Sequence, residues 1–210
     1  MSMSIDSWHS PGSYLAIFSS LPLTDRTVWR QIWDQQVEIL VTFIPHSVMD
    51  DLALFSSSKF IGSYQIQLDA EKEMGDYIVR TMKVRNRGSV RTVTQLVFMS
   101  WPADTSPSQS PTKSSFLALV RESSQLCRMR QGTGPVMIWS HVDMGQDPAV
   151  FWMCLDTMSR QIRGNGDTNL SHYCRHLAVR HQLRLSSSQL YIQLHDMLAW
   201  GISNNKLLYL

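Results

Sequence analysis

Residues 134–148 read Gly134-Pro135-Val136-Met137-Ile138-Trp139-Ser140-His141-Val142-Asp143-Met144-Gly145-Gln146-Asp147-Pro148. Val136–Ile138 is a strand signal, and the apolar stretch from about Pro148 to Ile162 has helical spacing. A polar loop joins them. Asp147-Pro148 suits an N-cap followed by the first helical residue, which would seat a carboxylate on the positive end of the helix dipole.

Outward from this unit the chain mixes helices and strands. Thr24 reads as an N-cap before Trp29, Ile32, Trp33 and Val37, and the β-branched run Val37–Ile44 reads as a buried strand. Residues 45–59 read as irregular. Tyr77–Arg85 and Val90–Ser100 are rich in strand formers and are joined by the hairpin signal Asn86-Arg87-Gly88. Residues 104–112 form a Ser/Pro-rich loop, and Phe116, Leu119 and Val120 open a helix. Gly164-Asn165-Gly166 ends the helix that begins near Pro148, and two more are expected over Leu170–His181 and Ser187–Ile202. Mixed order with adjacent antiparallel strands gives an α/β (α+β) class.

With 43% hydrophobic and 17% charged residues, the 210-residue chain suits one domain, 1–210. A net charge of +2 is too mild to imply nucleic acid. Cys127, Cys154 and Cys174 are odd in number and irregularly spaced, so neither a disulfide framework nor a zinc site is expected. The aliphatic run Ile39–Ile44 is too short to span a bilayer, and the first residues carry no signal-peptide pattern, so a soluble cytoplasmic location is expected. His172 and His176 share a helix face but lack a third ligand at sensible spacing, and read as solvated. Lys83, Arg85, Arg87 and Arg91 read as a solvated basic hairpin end.

Several strings together resemble the tyrosine-specific protein phosphatase family. Its signature loop runs His-Cys-Ser-Ala-Gly-(hydrophobic)-Gly-Arg-(Thr/Ser)-Gly, and residues 139–148 occupy its frame. Tyr14-Leu15-Ala16-Ile17 through Leu21-Pro22 resembles the family's Tyr-Ile-Ala-Thr-Gln-Gly-Pro-Leu-Pro, and Trp29-Arg30-Gln31-Ile32-Trp33-Asp34-Gln35 its Phe-Trp-Arg-Met-Val-Trp-Glu-Gln. Val93-Thr94-Gln95 through Ser100-Trp101-Pro102 resembles the strand entering the mobile Trp-Pro-Asp loop. Leu119-Val120-Arg121-Glu122 and Tyr191-Ile192 through His195-Asp196 also fit. The resemblance runs from about 14 to 196, without the family's leading helices or its ring-stacking Lys-Asn-Arg-Tyr loop. It implies a central mixed, twisted sheet flanked by helices, truncated at the N-terminus, and is similar to the inactive second domains of receptor-type phosphatases.

The same resemblance assigns roles residue by residue. Ser140 stands at the nucleophilic Cys, Gln146 at the phosphate-clamping Arg, Ala103 at the general acid and Ser186 at the water-positioning Gln. Trp101, Gly145 and Asp147 are remnants of the mobile and phosphate loops. A serine cannot be ionised as a thiol can, a neutral amide cannot replace a bidentate guanidinium, and Asp143 and Asp147 add negative charge where phosphate would sit. Asp104 follows Ala103, one residue out of place for acid catalysis. A new triad of Ser140, His141 and Asp143 is disfavoured, because adjacent residues seldom face each other.

The expected protein is therefore a catalytically inactive, phosphatase-like domain, not an enzyme, with no cofactor and no metal. It would act through a protein partner, an active phosphatase or its substrate, with self-association through core left uncovered by the missing N-terminal part. Two alternatives stay open: a trap that binds phosphotyrosine protein without turnover, and a hydrolase with relocated chemistry.

Overall fold

The structure, a computed structural model, describes residues 2–7, 12–20, 22–45, 58–101, 113–129 and 134–207. In chain order these form β1 (Ser2–Ile5), β2 (Tyr14–Ser19), α1 (Arg26–Asp34), β3 (Ile39–Phe43), β4 (Lys59–Ile61), β5 (Tyr64–Glu73), β6 (Tyr77–Asn86) and β7 (Ser89–Phe98). There follow α2 (Lys113–Met129), β8 (Val136–His141), a 3₁₀ turn at Val142–Met144, α3 (Asp147–Asn165), α4 (Leu170–His181) and α5 (Ser188–Ser203). Among the described residues one eight-stranded sheet runs β1-β2-β8-β3-β7-β6-β5-β4. Its centre, β2-β8-β3-β7, is parallel, and antiparallel strands lie at both sides. The expected mixed sheet flanked by helices is found.

Local chemistry explains most boundaries. Arg87 and Gly88 both have positive φ, +47° and +85°, as a two-residue type I′ hairpin requires between β6 and β7. The cap of α1 is Asp25, not Thr24: its carboxylate accepts from the Thr27 amide at 2.7 Å. Helix α3 ends at Gly166, whose φ of +73° is the left-handed C-cap conformation. Asn169 and Ser187 cap α4 and α5 by accepting from the amides of His172 and Leu190. Just before β8, a Cβ on Gly134 would lie 2.1 Å from the Gln36 carbonyl oxygen, so only glycine lets that segment pass the end of α1.

The parallel strands are buried on both faces. Tyr14, Ala16, Val41, Phe43 and Ile138 face α2–α5, while Leu15, Ile17, Leu40, Met137 and Trp139 face α1. Phe43, Phe98, Phe116, Phe151 and Trp101 form an aromatic cluster with neighbouring ring centroids 5.1–6.2 Å apart. Trp101, read from the sequence as a remnant of a mobile loop, is fixed in this core against Phe116 and Phe151.

Fully buried Asp156 on α3 ties the helical face together. It accepts from Tyr14 Oη at 2.6 Å and Ser124 Oγ at 2.9 Å, and pairs with Arg160 Nη2 at 2.9 Å. Burial first, then the carboxylate's charge, pushes the Tyr14 phenol up, and Asp156 holds Arg160 firmly protonated. The network joins β2, α2 and α3.

Sequence periodicity left β1, β2, β4 and β5 unassigned. Among the described residues the exposed large apolar side chains Phe60, Met74, Val90, Met129, Val142, Val179 and Ile192 belong to different elements or turns. No helix among the described residues is long and apolar enough to cross a membrane.

Removing one partner of a buried ion pair strands the other. Asp156→Ala is expected to lower unfolding free energy by about 3–5 kcal/mol, and Tyr14→Phe by about 1.5–3 kcal/mol. Urea titration checks both, with the midpoint falling at unchanged slope; a loss under about 1 kcal/mol for Asp156→Ala would show that the network is not structural.

Candidate functional site

Strand β8 lies between β2 and β3, placing Ser140 opposite Phe18 and Phe43 at the strand's end. Side chains alternate along a strand, so Ser140 faces α2–α5 while Trp139 and His141 point to the α1 side. Ser140 is fully buried and its Oγ donates to the Gly145 carbonyl at 2.9 Å, across the turn. His141 faces away from it: its Nδ1 accepts the Asp143 amide at 3.3 Å. The same Nδ1 lies 3.4 Å from the Asp143 carboxylate. Ser140, His141 and Asp143 do not assemble as a relay.

Gly145 adopts φ +62°, ψ −156°, a region essentially restricted to glycine. A Cβ there would meet nothing within 4 Å, so conformation rather than space requires the residue. Gln146 is the N-cap of α3 and makes no side-chain cap bond. Asp147 is therefore not the cap expected from the sequence but the first helical residue. Its carboxylate turns away from its own helix to Ser186, accepting from that residue's amide at 2.8 Å and its hydroxyl at 2.6 Å. The negative charge still sits in the first turn, and a distant serine fixes it there.

The loop thus brings together Ser140, Gly145, Gln146 and Asp147, and Asp147 recruits Ser186. Ala103 lies outside the described residues, as do Pro102 and Asp104. A cavity of about 300 Å³ adjoins Ser186, lined also by Val150, Cys174, Arg184 and Tyr191. Cys127 and Arg160 approach each other far from the loop along the chain, on α2 and α3, with Sγ and Nη2 3.9 Å apart, but Arg160 is engaged by Asp156.

The basic hairpin end is dispersed. Lys83 pairs with Asp69 at 2.6 Å, and Arg91 donates to the Trp33 carbonyl while its guanidinium lies 4.2 Å over the Trp33 ring. Arg87 instead joins Arg26 and Arg30 around an open cavity of about 800 Å³ beside α1. Sequence reading missed this convergence because it depends on a hairpin meeting a helix from elsewhere in the chain. It also missed a meeting of Asp6, His176 and His181, whose ligating atoms lie within 4.8 Å of one another.

The protein-tyrosine phosphatase family model matches residues 3–200, so the chain belongs to that family. The match starts earlier than the expected residue 14 and takes in β1. Receptor-type tyrosine-protein phosphatase zeta of Rattus norvegicus is 27% identical over 94% of this chain, and tyrosine-protein phosphatase 99A of Drosophila melanogaster 24% over 96%. The chain spans 9% and 16% of those proteins' lengths. The human non-receptor type 7 enzyme is 20% identical over 89% of this chain and 51% of its own. A solved structure of PTPN18 in complex with HER2 phosphopeptides superposes with a TM-score of 0.79, at 21% identity, covering 96% of this chain and 76% of the other. That likeness establishes the fold.

The Asp147–Ser186 contact carries its own test. Asp147→Ala removes both bonds and is expected to cost about 1.5–3 kcal/mol, as for hydrogen bonds to a charged group. Ser186→Ala keeps the amide bond and should cost less. The double variant should match Asp147→Ala alone in urea unfolding; additive losses would show that the two residues act separately.

Proposed function

We propose that this member of the protein-tyrosine phosphatase family is a non-catalytic domain that acts through protein–protein interaction, as a scaffold or regulator of phosphotyrosine signalling or of an active phosphatase. The observation that carries the reading is the internal closure of the signature loop. The Ser140 hydroxyl is spent on the Gly145 carbonyl, and the Asp147 carboxylate stands in the first turn of α3. A helix N-terminus binds phosphate through free amides and a positive dipole end, and a fixed carboxylate there opposes a dianion. Gln146 brings no compensating charge, and a buried serine hydroxyl donating to a carbonyl is no activated nucleophile.

A second reading is a phosphotyrosine trap without turnover, motivated by the phosphopeptide complex of the structural neighbour. The two aspartates of the loop argue against it, and the Arg-lined cavity beside α1 is on the other side of the sheet. Catalysis from Cys127 is a third reading, opposed by the engagement of Arg160 with Asp156. A location on the cytoplasmic side, and a partner that is itself a phosphatase or its substrate, belong to the proposal.

Purified protein is expected to release no phosphate from an aryl phosphate or a phosphotyrosine peptide above a buffer blank, and to bind that peptide no better than its unphosphorylated form. Ser140→Cys alone is expected to stay inactive, because the anion clamp is still missing. Turnover abolished by Ser140→Ala or Cys127→Ser would overturn the non-catalytic reading and identify the nucleophile. Phosphate-dependent peptide binding without turnover would replace it by the trap.

A further inference from the structure

We infer that Asp6, His176 and His181 form a binding site for a first-row divalent cation, of which zinc is the fitting member, stapling the N-terminal edge strand to α4. Asp6 directly follows β1, while His176 and His181 lie in the last turns of α4. One ligating atom from each lies within 4.8 Å of the other two. Two imidazoles and one carboxylate are a donor set that zinc accepts, with a water in the remaining position. Rotation about side-chain torsions has to draw these atoms somewhat closer, since metal–ligand bonds are about 2.0–2.2 Å long.

The surroundings suit the assignment. His181 Nε2 is buried and has no hydrogen-bond partner among the described residues, a cost that coordination at this ring offsets. Tyr173 stacks on His176, with centroids 6.0 Å apart and planes 14° from parallel, and its hydroxyl donates to the Asp6 carbonyl at 3.1 Å. Asp6 Oδ1 accepts from the Gly12 amide at 2.8 Å, leaving Oδ2 for a metal. These contacts orient two of the three ligands, as supporting residues of metal sites do. The i, i+4 pair weighed from the sequence, His172 with His176, is not the pair assembled: His181 lies five residues on.

The consequence concerns β1. It is an edge strand paired only with β2 among the described residues, and such strands fray or pair with other chains unless managed. A cation held by Asp6 and α4 would fix it against the helix.

The test is titration of chelator-treated full-length protein with zinc, followed by calorimetry and by thermal unfolding. One equivalent should bind, Tm should rise, and amides of Ser2–Ile5 should gain exchange protection. His181→Gln and Asp6→Asn are each expected to weaken binding by more than about 100-fold, beyond the 10–100-fold that losing a supporting residue costs. His172→Ala should leave affinity unchanged. Cys154 and Cys174, with sulfurs 3.7 Å apart, are the competing donors, so cobalt replaces zinc in a second titration. A spectrum without thiolate charge transfer supports the proposal. Thiolate bands, binding that persists in His181→Gln, or no stoichiometric binding would each overturn it.

Discussion

The buried carboxylate of Asp156 is the constraint on which the helical face depends. Taking a carboxylate out of water is costly, and only several good partners offset it. Here they come from three directions: the Tyr14 hydroxyl on β2, the Ser124 hydroxyl on α2 and the Arg160 guanidinium one turn along α3. No sliding of α3 along the sheet keeps all of them. The network therefore fixes α3 axially as well as laterally, which apolar contacts alone do poorly because they are non-directional. Since α3 begins at the signature loop, fixing its axis also fixes where the helix's positive end meets the end of β8.

That meeting point is finished by polar contacts within the chain. Ser140 and Gly145 close the turn on itself, and Asp147 reaches to the residue preceding the α5 cap. A site built to take an anion must leave donors unsatisfied until the ligand arrives, which is a form of stored cost. In this loop the Ser140 hydroxyl is already spent on the Gly145 carbonyl, and the Asp147 carboxylate, fixed by the Ser186 donors, opposes an anion. The same residues that remove charge complementarity to phosphate are thus the residues that make the loop self-sufficient.

What was legible in the sequence was local. The spans of α3, α4 and α5 were legible from periodicity, with Gly166 ending α3, and the β6–β7 hairpin was announced by Arg87-Gly88 after a strand of alternating pattern. The family frame around Ser140 was legible from short strings. Strand β5 was not, because Gln67-Leu68-Asp69-Ala70-Glu71-Lys72-Glu73 is largely exposed near the sheet's edge and looks like a polar linker. Strand β1 contributes one buried residue, Ile5, too few for a period. Asp147 was misplaced by one position because its partner, Ser186, is remote in sequence and no capping rule contains it. The cluster of Asp6, His176 and His181 was invisible for the same reason.

Self-sufficiency of the loop also bears on how far the chain stands from catalysis. A thiol at 140 would give up a hydroxyl hydrogen bond to the Gly145 carbonyl, because sulfur donates weakly. A neutral residue at 147 would release Ser186 and leave its amide and hydroxyl to water. The changes at 140 and 147 each remove a contact that now supports the fold, the usual form of the trade between stability and activity. On the proposed reading, the contacts of Ser140 and Asp147 serve the junction of β8 with α3, whose position Asp156 sets.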